Sequence, residues 1–254
     1  MKEIKIRNIP EPFHSAVLKV KQLEKFDEYL GAFIFGSVAR GEQNSDSDLD
    51  IKVVTAREEY CDTVNHPYIG EIKLDLSFNS KKRIKDLANE EMGSRKRVPM
   101  VAESIIIFDK DGFIKNLKSK ALKVKPKKLR KKDHHWSKFM IYHAHDKAYR
   151  YLENDPASAM FSMGIDINDV LKDHYKLHGQ WWVSNKRMLQ DLESWDPHLA
   201  RLLRKFSLSV DVGTKYKNYL KILNYISLPM GDWQNLKENN CNCKLCKKDL
   251  SYLE

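Results

Sequence analysis

Short apolar runs alternate with polar, turn-rich stretches along the first half of the chain. Four of these runs are rich in aromatic and β-branched residues and predict buried strands, at residues 32–35, 51–54, 72–78 and 104–108. Apolar residues at helical spacing predict three helices around them, at residues 11–29, 80–92 and 113–123. Together these elements predict a mixed sheet of three to five strands flanked by helices.

The second half of the chain has the apolar spacing of helices only. Asp155-Pro156 and Asp196-Pro197 each place an N-capping side chain before a first-turn proline, which is typical of a helix start. Further helices are predicted to begin at Asp133, at Ser184 and just after Gly213. Helices joined by short connections predict an all-α helical bundle. The expected fold class is therefore α+β, with a C-terminal helical bundle.

Charge marks the expected boundary between the two halves. Of the net charge of +10, residues 118–132 supply nine basic residues and no acidic one, and Pro126 interrupts any helix within them. Residues 1–117 carry a balance of −1 and residues 133–254 a balance of +2. We therefore predict an α+β domain at 1–117, a basic linker at 118–132 and a helical domain at 133–254. The linker is either solvated or attracts a triphosphate or an RNA backbone.

The polar stretch between the first two predicted strands carries the candidate chemistry. It opens with Gly36 and Ser37, whose backbone N–H groups and hydroxyl suit phosphate oxygens. It ends with Asp48 and Asp50, which project to one side of a strand while Leu49 projects to the other. Neighbouring carboxylates repel each other unless a cation lies between them, and Mg²⁺ or Mn²⁺ prefers such oxygen ligands. The alternative is a polar loop with two solvated aspartates. The arrangement favours a nucleoside triphosphate bound through a divalent ion.

The same stretch resembles a known signature. Its pattern, Gly-Ser-x-Ala-Arg-Gly-x5-Ser-Asp-x-Asp, runs without a gap from Gly36 to Asp50 and is similar to that of the polymerase-β-like nucleotidyltransferase superfamily. In that superfamily a third acidic residue lies on a later strand between apolar residues. Asp75 in Ile72-Lys73-Leu74-Asp75-Leu76 has this context. The resemblance implies the nucleotidyltransferase fold for residues 1–117.

The resemblance also implies a reaction and a role for each carboxylate. A nucleoside monophosphate, with AMP from ATP expected, is transferred from a triphosphate to an acceptor hydroxyl, and pyrophosphate is released. Asp48 and Asp50 are expected to hold one or two Mg²⁺ ions. Asp75 is expected to share the second ion or to take the acceptor proton as general base.

The first residues of the signature are expected to bind the nucleotide. The Gly36 backbone and the Ser37 hydroxyl are assigned to the β- and γ-phosphates. Arg40 is a candidate for a phosphate contact, although a contact with Asp46 that fixes the loop is the favoured expectation.

The identity of the acceptor is left open between three classes. One α+β domain followed by a helical bundle resembles the aminoglycoside and lincosamide nucleotidyltransferases, which modify antibiotics. The helical half is nearly neutral, which argues against a polycationic acceptor, and a hydroxylated small molecule is the first expectation. An RNA end is the second, supported by the basic linker and by Trp181-Trp182, which either stack a base or pack in a core. A protein partner, as in toxin–antitoxin pairs, is the third.

Cysteines and hydropathy add two further expectations. Cys241, Cys243 and Cys246 lie within six residues near the C-terminus, and they either bind Zn²⁺ with a fourth ligand from elsewhere or remain reduced thiols. No apolar run reaches the roughly 20 residues of a bilayer span, and the first residues lack a signal-peptide core. We expect a cytoplasmic protein without membrane contact, and the pattern leaves its oligomeric state open.

Overall fold

The computed structural model describes residues 9–58, 63–234 and 243–252. The chain divides into two compact units, Met1–Pro126 and Lys127–Glu254. The division falls within the stretch predicted as a basic linker. The first residues of that stretch continue a helix of the first unit, Phe113–Ala121.

A five-stranded mixed sheet forms the centre of the first unit, which confirms the predicted sheet. Its strands are β1 (Tyr29–Ile34), β2 (Leu49–Thr55), β3 (Tyr68–Ile69), β4 (Ile72–Ser80) and β5 (Ile105–Asp109), in the order β3-β4-β2-β1-β5. Strand β2 runs parallel to β4, whereas β1 is antiparallel to both β2 and β5. The short β3 pairs antiparallel with β4, in a segment that the sequence pattern leaves irregular.

Within residues 9–58 and 63–126, five α-helices accompany this sheet. They are α1 (His14–Lys21), α2 (Gly36–Arg40), α3 (Lys81–Ser94), α4 (Met100–Glu103) and α5 (Phe113–Ala121). Alternate strand residues point to opposite faces, so Ile34 packs with α1 on one face and Phe33 packs with α3, α4 and α5 on the other. Helix α1 covers only part of the helix predicted at 11–29, because a 3₁₀ turn flanks it on each side. Phe26, within the predicted range, lies beyond these turns and is 57% exposed.

The start of α3 follows the predicted chemistry. Ser80 ends β4 in an extended conformation, and its hydroxyl accepts a hydrogen bond from the Arg83 backbone N–H at 3.2 Å. This bond satisfies one of the N–H groups that a helix leaves unpaired in its first turn. Ser80 is therefore the N-cap that the sequence predicts.

The regular secondary structure in the described residues of the second unit is all helical. Its helices are α6 (His134–Tyr151), α7 (Pro156–His178), α8 (Met188–Trp195), α9 (Pro197–Leu208), α10 (Val212–Ser227) and α11 (Lys244–Leu250). The Asp155 and Asp196 side chains cap α7 and α9 as predicted. Helix α10 begins slightly earlier than expected, at Val212 with Asp211 as its cap, so Gly213 lies inside its first turn. None of the described helices is long and apolar enough to cross a bilayer.

One buried polar network joins three helices of this unit. His174 Nε2 lies 2.8 Å from Asp196 Oδ2, and the Tyr225 hydroxyl donates to the same carboxylate. The His174 ring also stacks against Trp195. Burial, followed by the nearby His178, lowers the pKa of His174 to about 4. His174 is therefore neutral in the folded protein at ordinary pH.

Candidate functional site

The polar stretch after β1, which the sequence pattern indicates as tightly turning, begins as a short helix. Residues Gly36–Arg40 form α2, and the chain leaves it at Gly41 in a left-handed conformation. Gly36 itself has φ of 75°. Each glycine therefore lies at a point where the backbone turns into or out of a single helical segment. The remaining polar residues lead from Gly41 to β2.

Gly36 lies directly against the carboxylate of Asp50. A Cβ atom built on Gly36 would lie 1.9 Å from Asp50 Oδ2, far closer than nonbonded atoms approach. Only glycine leaves room for the carboxylate at this place and also adopts the positive φ without strain. Gly36, the first residue of the signature, thus leaves the space that the Asp50 carboxylate occupies.

The pairing of β2 with β4 brings the three predicted carboxylates to one face of the sheet. Asp50 and Asp75 are direct partners in the parallel register, on strands about 4.8 Å apart. Asp48 precedes Asp50 by two residues and therefore projects to the same side. Leu49 and Leu74, on the opposite side, are buried in the core. Asp48, Asp50 and Asp75 are hereafter called the carboxylate face.

A lysine that sequence reasoning missed bridges this face. Lys73 Nζ donates to Asp48 Oδ2 at 2.9 Å and lies 3.5 Å from Asp75 Oδ1. The hydrogen bond with Asp48 is the largest cause of a raised pKa for Lys73, although desolvation opposes it. The sequence could have identified this residue, because Lys73 stands two positions before Asp75 in the same predicted strand and therefore projects to the same side.

His66 also contacts the carboxylate face and was also missed. Its Nδ1 lies 2.7 Å from Asp75 Oδ1, and its side chain is 53% exposed. The neighbouring Asn65 exchanges two backbone hydrogen bonds with Leu76, which fixes His66 beside β4. This pairing joins residues eleven apart across an irregular segment, so local sequence pattern gives no sign of it.

Deeper along the same two strands the polar face continues. Lys52 Nζ donates to Ser77 Oγ at 3.0 Å and to Asn79 Oδ1 at 3.3 Å. Glu91 of α3 accepts a hydrogen bond from the Met100 backbone N–H, and burial raises the pKa of its carboxyl group. Charged and hydrogen-bonded side chains therefore extend the polar surface along β2 and β4 beyond the carboxylate face, where an apolar sheet surface would be usual.

Ser37 and Arg40 both lie in α2 but make different contacts. The Ser37 carbonyl accepts the Glu42 N–H at 2.9 Å, while its hydroxyl has no hydrogen-bond partner in the part of the chain that is described. The Arg40 guanidinium donates to Glu42 at 2.8 Å and approaches Glu103 at 3.5 Å. The expected contact between Arg40 and Asp46 is therefore wrong, since Arg40 fixes α2 through these two glutamates instead.

The donor chemistry of the carboxylate face fits a hard divalent cation. Three carboxylates share one side of two paired strands, and an ammonium group already lies between two of them. As they stand, no three His, Cys, Asp or Glu side chains within residues 9–58, 63–234 and 243–252 are grouped to hold a metal ion. Lys73 instead contacts one oxygen each of Asp48 and Asp75, and His66 contacts the same Asp75 oxygen.

Two sets of residues in the second unit were candidates for binding sites, the paired tryptophans and the clustered cysteines. Trp182 packs at the edge of the helical core, with its ring against Tyr175 at 5.3 Å and Lys172 5.8 Å above it. Of the three clustered cysteines, Cys241 lies outside the described residues. The Cys246 backbone N–H donates to Cys243 Sγ at 3.4 Å. The zinc site at these cysteines stays a prediction.

Part of the first unit matches a known family by sequence. Residues 19–112 match the family model described as "Polymerase beta, Nucleotidyltransferase". The match begins within α1 and ends just before α5, so it contains all five strands and the carboxylate face. The crystal structure of a nucleotidyltransferase-like protein from Exiguobacterium sibiricum 255-15 is similar at 13% identity and a TM-score of 0.48, over 94% of this chain and 86% of that chain. No curated protein matches.

Proposed function

We propose that the protein transfers a nucleoside monophosphate from a triphosphate to an acceptor hydroxyl, because residues 19–112 match the polymerase-β nucleotidyltransferase family model. The expected donor is ATP, so that AMP is transferred and pyrophosphate leaves. The observation that carries this proposal is that the pairing of β2 with β4 places Asp48, Asp50 and Asp75 on one side of the sheet, with the Asp50 carboxylate against Gly36. The small number of cysteines and the use of ATP support a cytoplasmic location.

Asp48, Asp50 and Asp75 are the residues that would hold Mg²⁺ or Mn²⁺. When bound, such an ion withdraws charge from the phosphate oxygens and aligns the attacking and leaving groups. The Asp50 carboxylate keeps its place because Gly36 has no side chain. The carboxylates themselves then set where the α-phosphate can lie.

The α2 turn would bind the β- and γ-phosphates. The Ser37 hydroxyl supports this role because it lies on a half-buried side chain in the first turn of α2, next to Gly36. The first backbone N–H groups of a helix also lack partners within the helix. Arg40, paired with Glu42 and Glu103, supports the turn rather than the nucleotide.

The acceptor hydroxyl must lose its proton as its oxygen attacks the α-phosphorus. In this step a new P–O bond forms, the bond to the β-phosphate oxygen breaks, and pyrophosphate leaves with the electron pair. We assign the proton to Asp75, whose carboxylate projects from β4 beside Asp50. The hydrogen bond from His66 orients this carboxylate.

We propose a hydroxylated small molecule as the acceptor, with antibiotics as the first class to examine. The support is the order of one α+β unit followed by a helical unit, which resembles the antibiotic-modifying branch. The argument about charge still disfavours a polycationic acceptor.

RNA is the second candidate acceptor, and one observation favours it. Trp136, which is 59% exposed, stacks on Phe139 with ring centroids 5.4 Å apart, and Phe139 stacks on His143. This exposed aromatic series follows the basic residues 127–132 along the chain. Aromatic rings beside cations are typical of surfaces that stack single-stranded bases.

One experiment tests both the reaction and its acceptor. The protein is incubated with each nucleoside triphosphate, Mg²⁺ and a panel of hydroxylated small molecules and RNAs, and products are identified by mass spectrometry. We expect an acceptor heavier by one nucleoside monophosphate, together with pyrophosphate. The Asp48→Asn variant should lose at least about 10²-fold in rate, whereas Asp46→Asn, in the exposed part of the same stretch, should retain activity. Unchanged transfer by Asp48→Asn would contradict the proposed roles of the carboxylates.

A further inference from the structure

Lys73 lies between two of the three proposed metal ligands, Asp48 and Asp75. Its ammonium contacts carboxylates on two strands, Asp48 at 2.9 Å and Asp75 at 3.5 Å. Side chains of opposite charge at these distances attract each other, and the same ammonium offsets the mutual repulsion of the carboxylates. All three side chains are about one third exposed, so an ion from solvent can reach them.

We propose that Lys73 is an internal counter-cation that competes with the divalent metal ion for Asp48 and Asp75 and so sets the affinity of the metal. This inference rests on the proposed function, because it assumes that the carboxylates are metal ligands. A metal ion can gain both carboxylates only if it displaces the Lys73 ammonium. Breaking these ion pairs costs free energy, so the metal should bind more weakly than it would to the same carboxylates without Lys73.

Displacement of Lys73 links the metal to the nucleotide. The lysine is anchored on β4 two residues before Asp75, so its released ammonium remains on the same polar face. A triphosphate bound there offers this ammonium a new anionic partner. Lys73 should therefore make the metal bind more tightly when nucleotide is present, and by reciprocity the nucleotide should bind more tightly when metal is present.

Binding of Mn²⁺, measured from the electron paramagnetic resonance signal of the free ion, tests this inference without an activity assay. The titration is carried out on the wild type, Lys73→Met, Lys73→Arg and Lys85→Met, with and without a nonhydrolysable triphosphate analogue. Lys85 lies exposed on α3, so its variant controls for the loss of one positive charge. Without nucleotide, Lys73→Met should bind Mn²⁺ about threefold to tenfold more tightly than the wild type. Lys73→Arg and Lys85→Met should remain within about twofold of it.

A second measurement distinguishes competition from a purely structural role. Without metal, Lys73→Met should melt at a lower temperature than the wild type, because the carboxylates then repel each other. Saturating Mn²⁺ should remove this difference. A deficit that persists at saturating Mn²⁺ would show that Lys73 only supports the fold, and would overturn the inference.

The remaining outcomes separate this inference from the proposed function. If the wild type binds Mn²⁺ and transfers nucleotide, but Lys73→Met has the wild-type affinity or matches Lys85→Met, only the competition is refuted. If the wild type binds no Mn²⁺ with or without the triphosphate, the carboxylates are not metal ligands, and both proposals fail. A nucleotide-dependent gain in Mn²⁺ affinity that is smaller in Lys73→Met would support the coupling.

Discussion

Replacement of Gly36 by alanine tests how tightly the α2 turn and the carboxylate face depend on each other. The new Cβ atom would lie 1.9 Å from Asp50 Oδ2, whereas real contacts of this kind are essentially never shorter than 3.0 Å. The carboxylate must therefore move by roughly 1 Å or more. A displacement of about 1 Å among reacting groups lowers rates by on the order of 10²-fold.

The effect of Gly36→Ala on folding should be smaller than its effect on activity. Alanine at φ of 75° is strained, at about 1–2 kcal/mol. The Asp50 Oδ2 and Cγ atoms can rotate away from the new methyl group, and the approach of 3.3 Å to Asp50 Cβ requires only a small shift, so the clash adds less than this strain. The variant should remain folded while its nucleotidyl transfer is largely lost.

Gly41→Ala is the matched control. Gly41 closes α2 at φ of 72°, so alanine there carries the same backbone strain, but its Cβ would have no atom within 4 Å. We expect the two variants to lose similar free energy of unfolding in urea, within about 1 kcal/mol. Only Gly36→Ala should lose transfer activity by about 10²-fold. Equal activity of the two variants would refute the link between Gly36 and Asp50.

Three further changes have expected outcomes. Ser37→Ala should raise the KM for the triphosphate about tenfold with no loss of stability, as measured by initial rates and urea unfolding, because the hydroxyl has no described partner. Ser80→Ala should lower the free energy of unfolding by about 1 kcal/mol, since the cap on the Arg83 N–H is lost, and an unchanged urea midpoint would contradict this. His174, with a pKa of about 4 when folded and 6.5 in a model peptide, binds protons more readily in the unfolded chain. Stability should therefore fall by roughly 3 kcal/mol as the pH drops from about 6.5 to 4. His174→Gln should flatten this dependence in urea titrations at each pH, and a parallel slope would argue against the assignment.

Features set by nearby residues were predictable from the sequence. The Ser80 cap depends only on the residue and the helix that follows it, and Asp155-Pro156 depends on two adjacent residues. The shared side of Asp48 and Asp50 follows from strand alternation alone. The limit of this reasoning is visible at α2, where Gly36 and Ser37 indicated a turn although they begin one turn of helix.

Features set by pairing between distant residues were not predictable. Lys73 reaches Asp48 only because β2 and β4 are parallel neighbours in one particular register. His66 reaches Asp75 through an isolated bridge outside the regular strands. Arg40 donates to the nearby Glu42 and also approaches Glu103, which is 63 residues away, in place of the expected Asp46. The spacing of apolar residues predicts which face of a helix or strand is buried. It does not predict which other element packs against that face.

The central claim is that the carboxylate face and the α2 turn together hold a metal-bound triphosphate. Crystals grown with Mn²⁺ and a nonhydrolysable triphosphate, with diffraction recorded so that manganese scatters anomalously, test it most directly. We predict an anomalous peak among Asp48, Asp50 and Asp75, with the triphosphate against Ser37 and the Lys73 ammonium away from Asp48. A triphosphate bound elsewhere, or no manganese peak at these carboxylates, would contradict the account.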